Sequence, residues 1–278
     1  MTYRETLAKG SRLLEENQIP DAKSDAWLLL ASACGIDRNF YYMHMEEAVD
    51  DKTQAVYKEF LAQRTKRMPL QYITGEQEFM GLSFRVNPHV LIPRQDTEIL
   101  VEEALKRAKP GMDVLDMCTG SGCIIISIWK SCTQIRAAAS DVSEEALAVA
   151  AENAKKNKAD VYFVQSDLFE QIKGKFDLIV SNPPYIPTKE ISVLMPEVRD
   201  FEPHRALDGD GDGLIFYRRI VKDGKSYLKP GGFLLFEIGY DQGKAVSDLM
   251  RQAGYQDVEV KKDLAGFDRV VAGILPRQ

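Results

Sequence analysis

The chain has 278 residues, a formal net charge of −6 at pH 7 and a sequence pI of about 5.3. This acidic balance argues against a protein whose substrate is bulk DNA or RNA, because such proteins usually carry a basic surplus. The mean hydropathy of −0.27 fits a globular protein, and no apolar run approaches the ~20 residues that a membrane span needs.

The first residues lead into a charged amphipathic pattern and not into an apolar signal core, so we expect a cytoplasmic protein. The chain contains four cysteines and three histidines, which are scattered and include no Cys-x-x-Cys pair. We therefore expect reduced thiols and no metal site.

Residues 1–70 show helical patterns. Thr2 followed by Glu5 resembles a capping box at the start of the first helix. Two more helices are predicted over about residues 21–35 and 51–67. Three short helices predict a small bundle whose apolar faces form its own core, and part of the bundle is a candidate surface for a protein partner.

The character of the chain changes after residue 70. Residues 78–86 alternate apolar and polar side chains around Gly81, a pattern that predicts a β-hairpin. We interpret residues 71–93 as a hairpin linker between the helical bundle and a second domain.

A charged stretch follows the predicted linker. Asp96 or Thr97 is the predicted cap of a helix over residues 99–108. Arg94 and Glu98 lie just before the first strand of the second domain, which makes them either surface charges or residues at the edge of a cleft.

From residue 113 onward, short apolar runs alternate with helical segments. The predicted strands are residues 114–116, 135–139, 161–164, 176–180 and 232–237, followed by a closing pair at 258–260 and 269–273. Helices are predicted over residues 124–129, 144–157, 214–228 and 243–253. This alternation predicts an α/β domain over residues 94–278, with a parallel sheet covered by helices on both faces.

Suitable ligand-binding groups follow three successive predicted strands. Gly120 and Gly122 lie between the first strand and its helix, where glycine lets a ligand approach the backbone. Asp141 ends the second strand and can accept both hydroxyls of a ribose. Asp167 and Leu168 end the third strand, where a carboxylate can accept from an adenine amine and an apolar side chain can pack on the base. NAD and S-adenosylmethionine both fit this pattern.

The turn after the fourth strand, Asn182-Pro183-Pro184-Tyr185, distinguishes between these cofactors. The two prolines end the strand and stiffen the turn. The Asn182 amide oxygen and a backbone carbonyl of the turn can accept the two hydrogens of a planar –NH2 group, while Tyr185 stacks on its plane. The turn offers neither a hydride-transfer partner nor a phosphate-binding lysine. It therefore favours methyl transfer from S-adenosylmethionine to an sp² nitrogen.

Several motifs resemble those of one enzyme family. Residues 116–122, Asp141 and the Asn-Pro-Pro-Tyr turn are similar to those of seven-stranded, Rossmann-like S-adenosylmethionine-dependent methyltransferases that modify exocyclic or amide nitrogens. Further stretches resemble the bacterial release factor glutamine methyltransferase (PrmC/HemK) family over nearly the whole chain; they are residues 69–75, 93–98, 202–207, 212–214 and 237–239. The turn alone is not specific, since DNA adenine methyltransferases share it.

The resemblance implies methylation of the side-chain amide nitrogen (N5) of the glutamine in the Gly-Gly-Gln motif of class I peptide chain release factors. It implies that the loop lines the methionine part of S-adenosylmethionine, through Cys118, Thr119, Gly120, Ser121 and Gly122. It further implies that Asp141 holds the ribose and that Leu168 flanks the adenine. Asn182 would contact both cofactor and target amide, and Pro183, Pro184 and Tyr185 would complete the substrate clamp.

Two positions depart from the family pattern. Cys118 stands where the family more often has glycine, and we expect a negative φ there and a preserved site. Leu168 stands where some members have an aromatic residue, and we expect its packing on adenine to be kept.

Other functions compete with this interpretation. An N-methyltransferase acting on DNA or RNA bases would need a basic groove and a region that extracts the base. A non-catalytic cofactor-binding scaffold and thiol chemistry at Cys118 or Cys123 are further alternatives. The sequence leaves open which release factor is preferred, whether the ribosome is needed, the angle between the domains and the oligomeric state, for which we expect a monomer.

Overall fold

The structure is a computed structural model that describes residues 1–277, and the chain divides into two compact units. The first unit comprises Met1–Glu76 together with Met195–Phe201, and the second comprises the remainder. The second unit therefore includes two separate stretches of chain. The domain limits that we predicted at residues 70 and 93 stay predictions.

The first unit is helical. Five helices precede residue 76, and a sixth comes from the later segment; they are α1 (Tyr3–Glu16), α2 (Ala22–Cys34), α3 (Arg38–His44), α4 (Asp51–Arg64), α5 (Leu70–Thr74) and α10 (Pro196–Arg199). The prediction of three helices was incomplete. It missed α3 and α5, which have 7 and 5 residues and are too short to show a helical repeat of apolar positions.

Local sequence explains how α1 begins and how it packs. The predicted capping box is confirmed, because the Thr2 hydroxyl accepts from the Glu5 N–H while the Glu5 carboxylate accepts from the Thr2 N–H. A Cβ atom at Gly10 would lie 2.0 Å from the Tyr57 hydroxyl oxygen, so glycine lets α1 approach α4 closely. Tyr57 in turn donates to the Ala26 carbonyl at 3.1 Å, which ties α4 to α2.

A buried arginine joins the two stretches of the first unit. Arg64, with 7% of its side chain exposed, donates from Nε to Asp25 Oδ2 at 2.7 Å and from Nη1 to Glu197 Oε1 at 3.1 Å. Arg67 Nη2 lies 2.9 Å from the other oxygen of Glu197. The short helix α10 is therefore held in the first unit by a charge network in which every member has an opposite partner.

The second unit contains a hairpin and a seven-stranded sheet. The hairpin strands are β1 (Glu76–Phe79) and β2 (Leu82–Arg85), and the sheet strands are β3 (Asp113–Met117), β4 (Arg136–Asp141), β5 (Val161–Gln165), β6 (Phe176–Ser181), β7 (Leu228–Glu237), β8 (Gln256–Lys262) and β9 (Asp268–Ile274). The helices are α6 (Glu98–Leu105), α7 (Cys123–Ser131), α8 (Glu144–Asn157), α9 (Thr188–Ile191), α11 (Ile215–Tyr227) and α12 (Gly243–Gln252).

The sheet has the order β5-β4-β3-β6-β7-β9-β8. Strands β3 to β7 run parallel, as predicted, but β9 is antiparallel to both of its neighbours. The sheet is therefore mixed and not wholly parallel. The connection from β8 to β9 is too short for the crossover that a parallel pair requires, so these strands must form a hairpin.

Alternate side chains of the strands pack into two hydrophobic cores, one on each face of the sheet. Val114, Leu178 and Leu235 pack on one face, while Leu115 and Ile179 pack on the other. This alternation follows from the two-residue period of a strand. Helices cover both faces, so the buried strands read as nearly continuous apolar runs.

The predicted hairpin is confirmed, and it packs against the sheet domain. Phe79 and Phe84 are almost fully buried in the core of the second unit. The Asn153 side chain on α8 accepts from the Arg85 N–H at 2.6 Å and donates to the Arg85 carbonyl at 3.0 Å. One amide side chain thus pairs both polar groups of a strand residue.

Thr97 occupies the N-cap position of α6, as one of the two predicted alternatives, but the capping hydrogen bond is missing. Neither Asp96 nor Thr97 makes a capping hydrogen bond, because residues Gln95–Thr97 already form a 3₁₀ turn that continues into the helix. Thr97 has helical backbone angles, whereas a capping residue needs an extended backbone. The Thr97 side chain is buried instead.

We expect Arg64→Ala to lower the free energy of unfolding by about 3–5 kcal/mol, because it leaves the buried Asp25 carboxylate without its cation and removes one of the two cations that pair with Glu197. Arg4→Ala removes an exposed ion pair with Glu46 and should cost less than about 1 kcal/mol. Urea denaturation of the full chain measures both values. Equal losses would show that the Arg64 network does not stabilise the fold.

Candidate functional site

Strand register brings the candidate residues to one edge of the sheet. Met117 at the end of β3 pairs with Ser140 in β4 and with Ser181 in β6, and Ser181 pairs with Phe236 in β7. The next residues along these strands are Cys118, Asp141, Asn182 and Glu237. All four therefore leave the sheet at the same level, at the carboxyl ends of parallel strands.

A cleft opens at this edge, entirely within the second unit. Its walls include the loop after β3, the end of β4, the turn after β5 and part of the turn after β6. Of the residues proposed from sequence, it is lined by Cys118, Thr119, Gly120, Ser121, Asp141, Asp167, Leu168, Asn182 and Pro184. Gly122, Pro183 and Tyr185 are neighbours of lining residues in sequence but do not line the cleft themselves.

The loop after β3 has a left-handed backbone at three positions, Cys118, Gly120 and Gly122, with φ values of +61°, +53° and +78°. Our expectation of a negative φ at Cys118 was wrong. The Thr119 N–H donates to the Ser140 carbonyl at 3.0 Å, and its hydroxyl donates to Asp116 Oδ2 at 2.6 Å. These bonds determine the path of the loop, so Cys118 accepts a conformation that costs about 1–2 kcal/mol.

Gly122 is required for space as well as for its backbone angle. A Cβ atom there would lie 3.0 Å from the Ile126 Cδ1 and 3.2 Å from the Ala150 Cβ. The close packing of α7 and α8 therefore depends on this glycine.

Asp141 organises the loop from the neighbouring strand. Its Oδ2 accepts from the Gly120 N–H at 2.9 Å, and its Oδ1 accepts from the Ser143 N–H at 3.0 Å. Burial raises the pKa of Asp141 above its ordinary value, while these N–H groups oppose the rise. Each carboxylate oxygen keeps a further lone pair, so the group can still accept from a diol.

The turn after β5 places two predicted residues differently. Leu168 is buried at the cleft with φ +49°, and its carbonyl accepts from the Ser166 hydroxyl at 2.8 Å. Asp167 is more exposed, and its Oδ2 accepts from Arg219 Nη2 at 3.0 Å. An adenine amine would therefore share this carboxylate with an arginine.

The turn after β6 is held by residues that are distant in sequence. The Tyr185 carbonyl accepts from Gln242 Nε2 at 3.0 Å, and Gln242 Oε1 accepts from the Gly239 N–H. Gly213 packs against the same carbonyl so closely that a Cβ atom would lie 2.2 Å from it. Sequence reasoning missed Gln242 as a site residue, although Gly213 and Gly239 belong to stretches that carried the family resemblance.

Arg94 and Glu98 have separate roles. Arg94 lines the cleft and forms an ion pair with the buried Glu202. Glu98 Oε1 accepts from the Met80 N–H at 2.7 Å and so holds the turn of the hairpin. Only Arg94 therefore faces the candidate site.

Two buried acids beside the site were not proposed as site residues, although each begins a stretch that carried the family resemblance. Asp116 lies at the base of the loop and Glu237 at the end of β7; burial raises the pKa of each to about 7. The Oδ1 atom of Asp116 and the Oε2 atom of Glu237 have no hydrogen-bond partner. An acidic residue inside an apolar strand was the available signal for both.

The cysteines and other candidate ligands do not form a thiol or metal centre within residues 1–277. All four cysteines are free, and burial raises the pKa of the Cys123 thiol to about 12 and that of Cys118 well above its ordinary value. Neither is a ready thiolate nucleophile. In the described part of the chain, no three His, Cys, Asp or Glu side chains converge as a metal ion requires.

Relatives confirm the methyltransferase interpretation. Residues 5–75 match the family model of the PrmC N-terminal domain, and residues 95–198 match that of the methyltransferase small domain. The release factor glutamine methyltransferases of Geobacter sulfurreducens and Clostridium acetobutylicum are 43% and 41% identical to this chain. These alignments cover 98% and 99% of this chain and 96% and 99% of the relatives.

The chain belongs to the release factor glutamine methyltransferase family.

Solved structures agree on the fold. A methyltransferase from Pyrococcus furiosus is 18% identical and superposes with a TM-score of 0.54, covering 70% of this chain and 90% of that one. The 16S rRNA N2 G1207 methyltransferase of Thermus thermophilus, in complex with AdoMet and guanosine, gives a TM-score of 0.53 at 15% identity, covering 72% of this chain and 49% of that one. The predicted seven-stranded methyltransferase fold is confirmed.

We expect Gly213→Ala to destabilise this release factor methyltransferase by about 2 kcal/mol or more, because the new Cβ collides with the Tyr185 carbonyl and the backbone has φ +73°. Gly211→Ala is the matched control, since no atom lies within 4 Å of the position that its Cβ would take. Urea denaturation compares the two. Similar stabilities for both variants would contradict the close contact at Gly213.

The buried Asp116 should make stability depend on pH. Because its folded pKa is raised from 3.8 to about 7, the wild type should lose stability as pH rises through this window. Asp116→Asn removes this dependence, so its stability relative to wild type should improve by roughly 1 kcal/mol per pH unit. Denaturation between pH 4.5 and 7 measures the slope.

Asp113, at the other end of β3, is the control. Arg136 and Lys229 lower the pKa of Asp113 to about 2 against the effect of its burial, so its contribution is constant above its unfolded pKa. Asp113→Asn should therefore cost the same free energy throughout that pH range. If the stability difference between Asp116→Asn and the wild type were also independent of pH, Asp116 would not titrate as a buried group in this range.

Proposed function

We propose that this chain transfers a methyl group from S-adenosylmethionine to the side-chain amide nitrogen (N5) of a glutamine, the one in the Gly-Gly-Gln motif of class I peptide chain release factors. The observation that carries the proposal is the place of Asn182 and Pro184. They line the same cleft as Asp141 and residues 118–121 of the loop after β3, so an acceptor amide and a nucleoside cofactor would meet there.

The cleft residues fit S-adenosylmethionine. The Asp141 carboxylate is already oriented by two backbone N–H groups and suits a ribose diol. Leu168 offers an apolar wall for adenine, and the loop from Cys118 to Gly122 would surround the methionine part. When bound, this cofactor supplies an electrophilic methyl group on its sulfonium.

The turn after β6, residues 182–185, is called the acceptor turn here, and its groups suit a primary amide. An amide nitrogen is a poor nucleophile because its lone pair is delocalised over the carbonyl group. Oxygen acceptors at Asn182 Oδ1 and at a backbone carbonyl of the turn would hold both N–H groups and favour pyramidal nitrogen as charge develops. Tyr185 does not line the cleft, so stacking of its ring on the amide stays a prediction from the sequence. Holding the nitrogen in line with the methyl group supplies much of the remaining rate enhancement.

A base N-methyltransferase acting on DNA or RNA is the second candidate, because an exocyclic amine has the same planar –NH2 group. The net charge of −6 disfavours it, since a nucleic acid needs cations for its phosphates. The likeness to the rRNA methyltransferase, at 15% identity, concerns the fold alone.

The test is methyl transfer from labelled S-adenosylmethionine to four substrates: purified release factor, its variant with the Gly-Gly-Gln glutamine replaced, duplex DNA and ribosomal RNA. Label on the wild-type release factor alone supports the proposal and identifies the methylated residue. Label on nucleic acid overturns the proposed substrate. Cofactor binding without any methyl transfer favours a non-catalytic cofactor-binding scaffold.

We expect Asn182→Ala to lower methyl transfer at least about 100-fold while cofactor affinity stays within about threefold, because the amide acts mainly on the acceptor nitrogen. Asn157→Ala is the control; Asn157 lies on α8, bonds to the hairpin and does not line the cleft. Calorimetry with cofactor and a transfer assay separate the two effects. A parallel loss of affinity and rate would refute the assigned role.

We further propose that the protein acts in the cytoplasm, where release factors work, and as a monomer. No helix within residues 1–277 is long and apolar enough to cross a membrane.

A further inference from the structure

Glu237 is a buried carboxylate directly behind the acceptor turn. It ends β7, next to the end of β6 from which Asn182 emerges. The residue is 2% exposed, and its Oε2 has no hydrogen-bond partner. A buried carboxylate oxygen without a partner is costly, so a fold that retains it needs a compensating role for the group.

A hydroxyl connects this carboxylate with the acceptor turn. Asn182 Nδ2 donates to Thr97 Oγ1 at 3.5 Å, and both side chains lie close enough to Glu237 to lower its pKa as hydrogen-bond donors. Thr97 is 3% exposed, so water does not compete for its hydroxyl. The three groups form a short buried chain of hydrogen bonds.

The direction of donation along this chain is set by its charged end. A carboxylate only accepts, so the Thr97 hydroxyl must donate to Glu237. The oxygen of that hydroxyl is then free to accept, and only the –NH2 end of Asn182 can donate to it. The Asn182 Oδ1 atom is left pointing the other way. The arrangement is cooperative because each bond polarises the next.

We propose that Glu237 is a positioning residue that, through Thr97, orients the Asn182 amide so that Oδ1 faces the acceptor –NH2 group. The inference rests on the proposed function, since it concerns the same acceptor. Glu237 does not line the cleft, so it acts through Asn182 and does not touch the substrate.

The charges around Glu237 support its acceptor role. Burial raises the pKa of Glu237 and Asp96 adds to the rise, while the Thr97 hydroxyl and Arg269 lower it, and the balance places the pKa at about 7. Tyr185 and Cys123 also face this carboxylate, and burial raises the pKa of both, so they stay neutral. An assay at about pH 8 therefore examines the ionised form of Glu237.

Glu237→Gln and Thr97→Val each abolish the fixed donor-to-acceptor order of these hydrogen bonds while keeping a side chain of similar size. Glu237→Gln introduces an –NH2 donor, which lets Thr97 donate toward Asn182 and turn its amide over. Thr97→Val removes the hydroxyl, and Thr97→Ser keeps it. We expect Glu237→Gln and Thr97→Val to lower kcat about 10- to 100-fold with unchanged cofactor affinity, and Thr97→Ser to retain activity.

A double substitution tests orientation itself. In Asn182→Asp, two carboxylates converge on one hydroxyl, which can donate to only one of them, and activity should fall. In Asn182→Asp with Glu237→Gln, the glutamine donates to Thr97, Thr97 donates to the new carboxylate, and the second carboxylate oxygen faces the acceptor. The double variant should therefore be more active than either single variant.

Glu103→Gln is the control for loss of a buried carboxylate. Glu103 lies on α6, is 4% exposed and pairs with Lys106 and Arg107 away from the cleft, so its replacement should affect stability and not kcat. Thermal unfolding of every variant separates misfolding from misorientation.

The experiment measures kcat, KM and cofactor affinity for release factor methylation at about pH 8, where Glu237 is ionised. Wild-type transfer with the expected order of variants supports the inference. Wild-type transfer with Glu237→Gln within about twofold of it, or a double variant no more active than the better single variant, overturns the role of Glu237 alone. A wild type that does not methylate release factor overturns the proposed function instead.

Discussion

The shared register of the parallel strands is the constraint on which the site depends. Met117, Ser140, Ser181 and Phe236 pair across four neighbouring strands, so the residues that follow them emerge at one level. No local sequence feature could bring a glycine loop, a carboxylate and an amide together from such distant positions. The apolar alternation that buries both faces of the sheet also keeps the register, because a slip of one residue would exchange the two faces.

The cleft and the positions beside it combine a strained backbone with buried acids, features that also occur singly elsewhere in the described chain. Cys118 and Leu168 have left-handed backbones, and Asp116 and Glu237 each keep an unpartnered oxygen. Each feature costs stability, and each lies beside an expected ligand position. The stability that the packed sheet contributes offsets these costs.

Much of this organisation could be predicted from sequence, because strands, glycine loops and proline turns are encoded locally. The alternation of strand and helix predicted the domain, and Thr2 predicted its capping box. The errors share a physical cause. The φ of Cys118 is set by bonds from Thr119 to Ser140 and Asp116, and Thr97 is buried by a 3₁₀ turn that no local pattern signals. The helices α3 and α5 are too short for a visible period.

The acceptor turn shows why a motif is not the whole of a site. Its backbone is held by Gln242 and packed by Gly213, and its amide is bonded to Thr97, none of which is near it in sequence. A planar acceptor requires its hydrogen-bond partner to present oxygen and not nitrogen, and the two ends of an amide side chain differ little in shape. Shape alone therefore cannot select the orientation of Asn182. A charged, acceptor-only group behind it can, which gives the buried Glu237 a physical reason to be there.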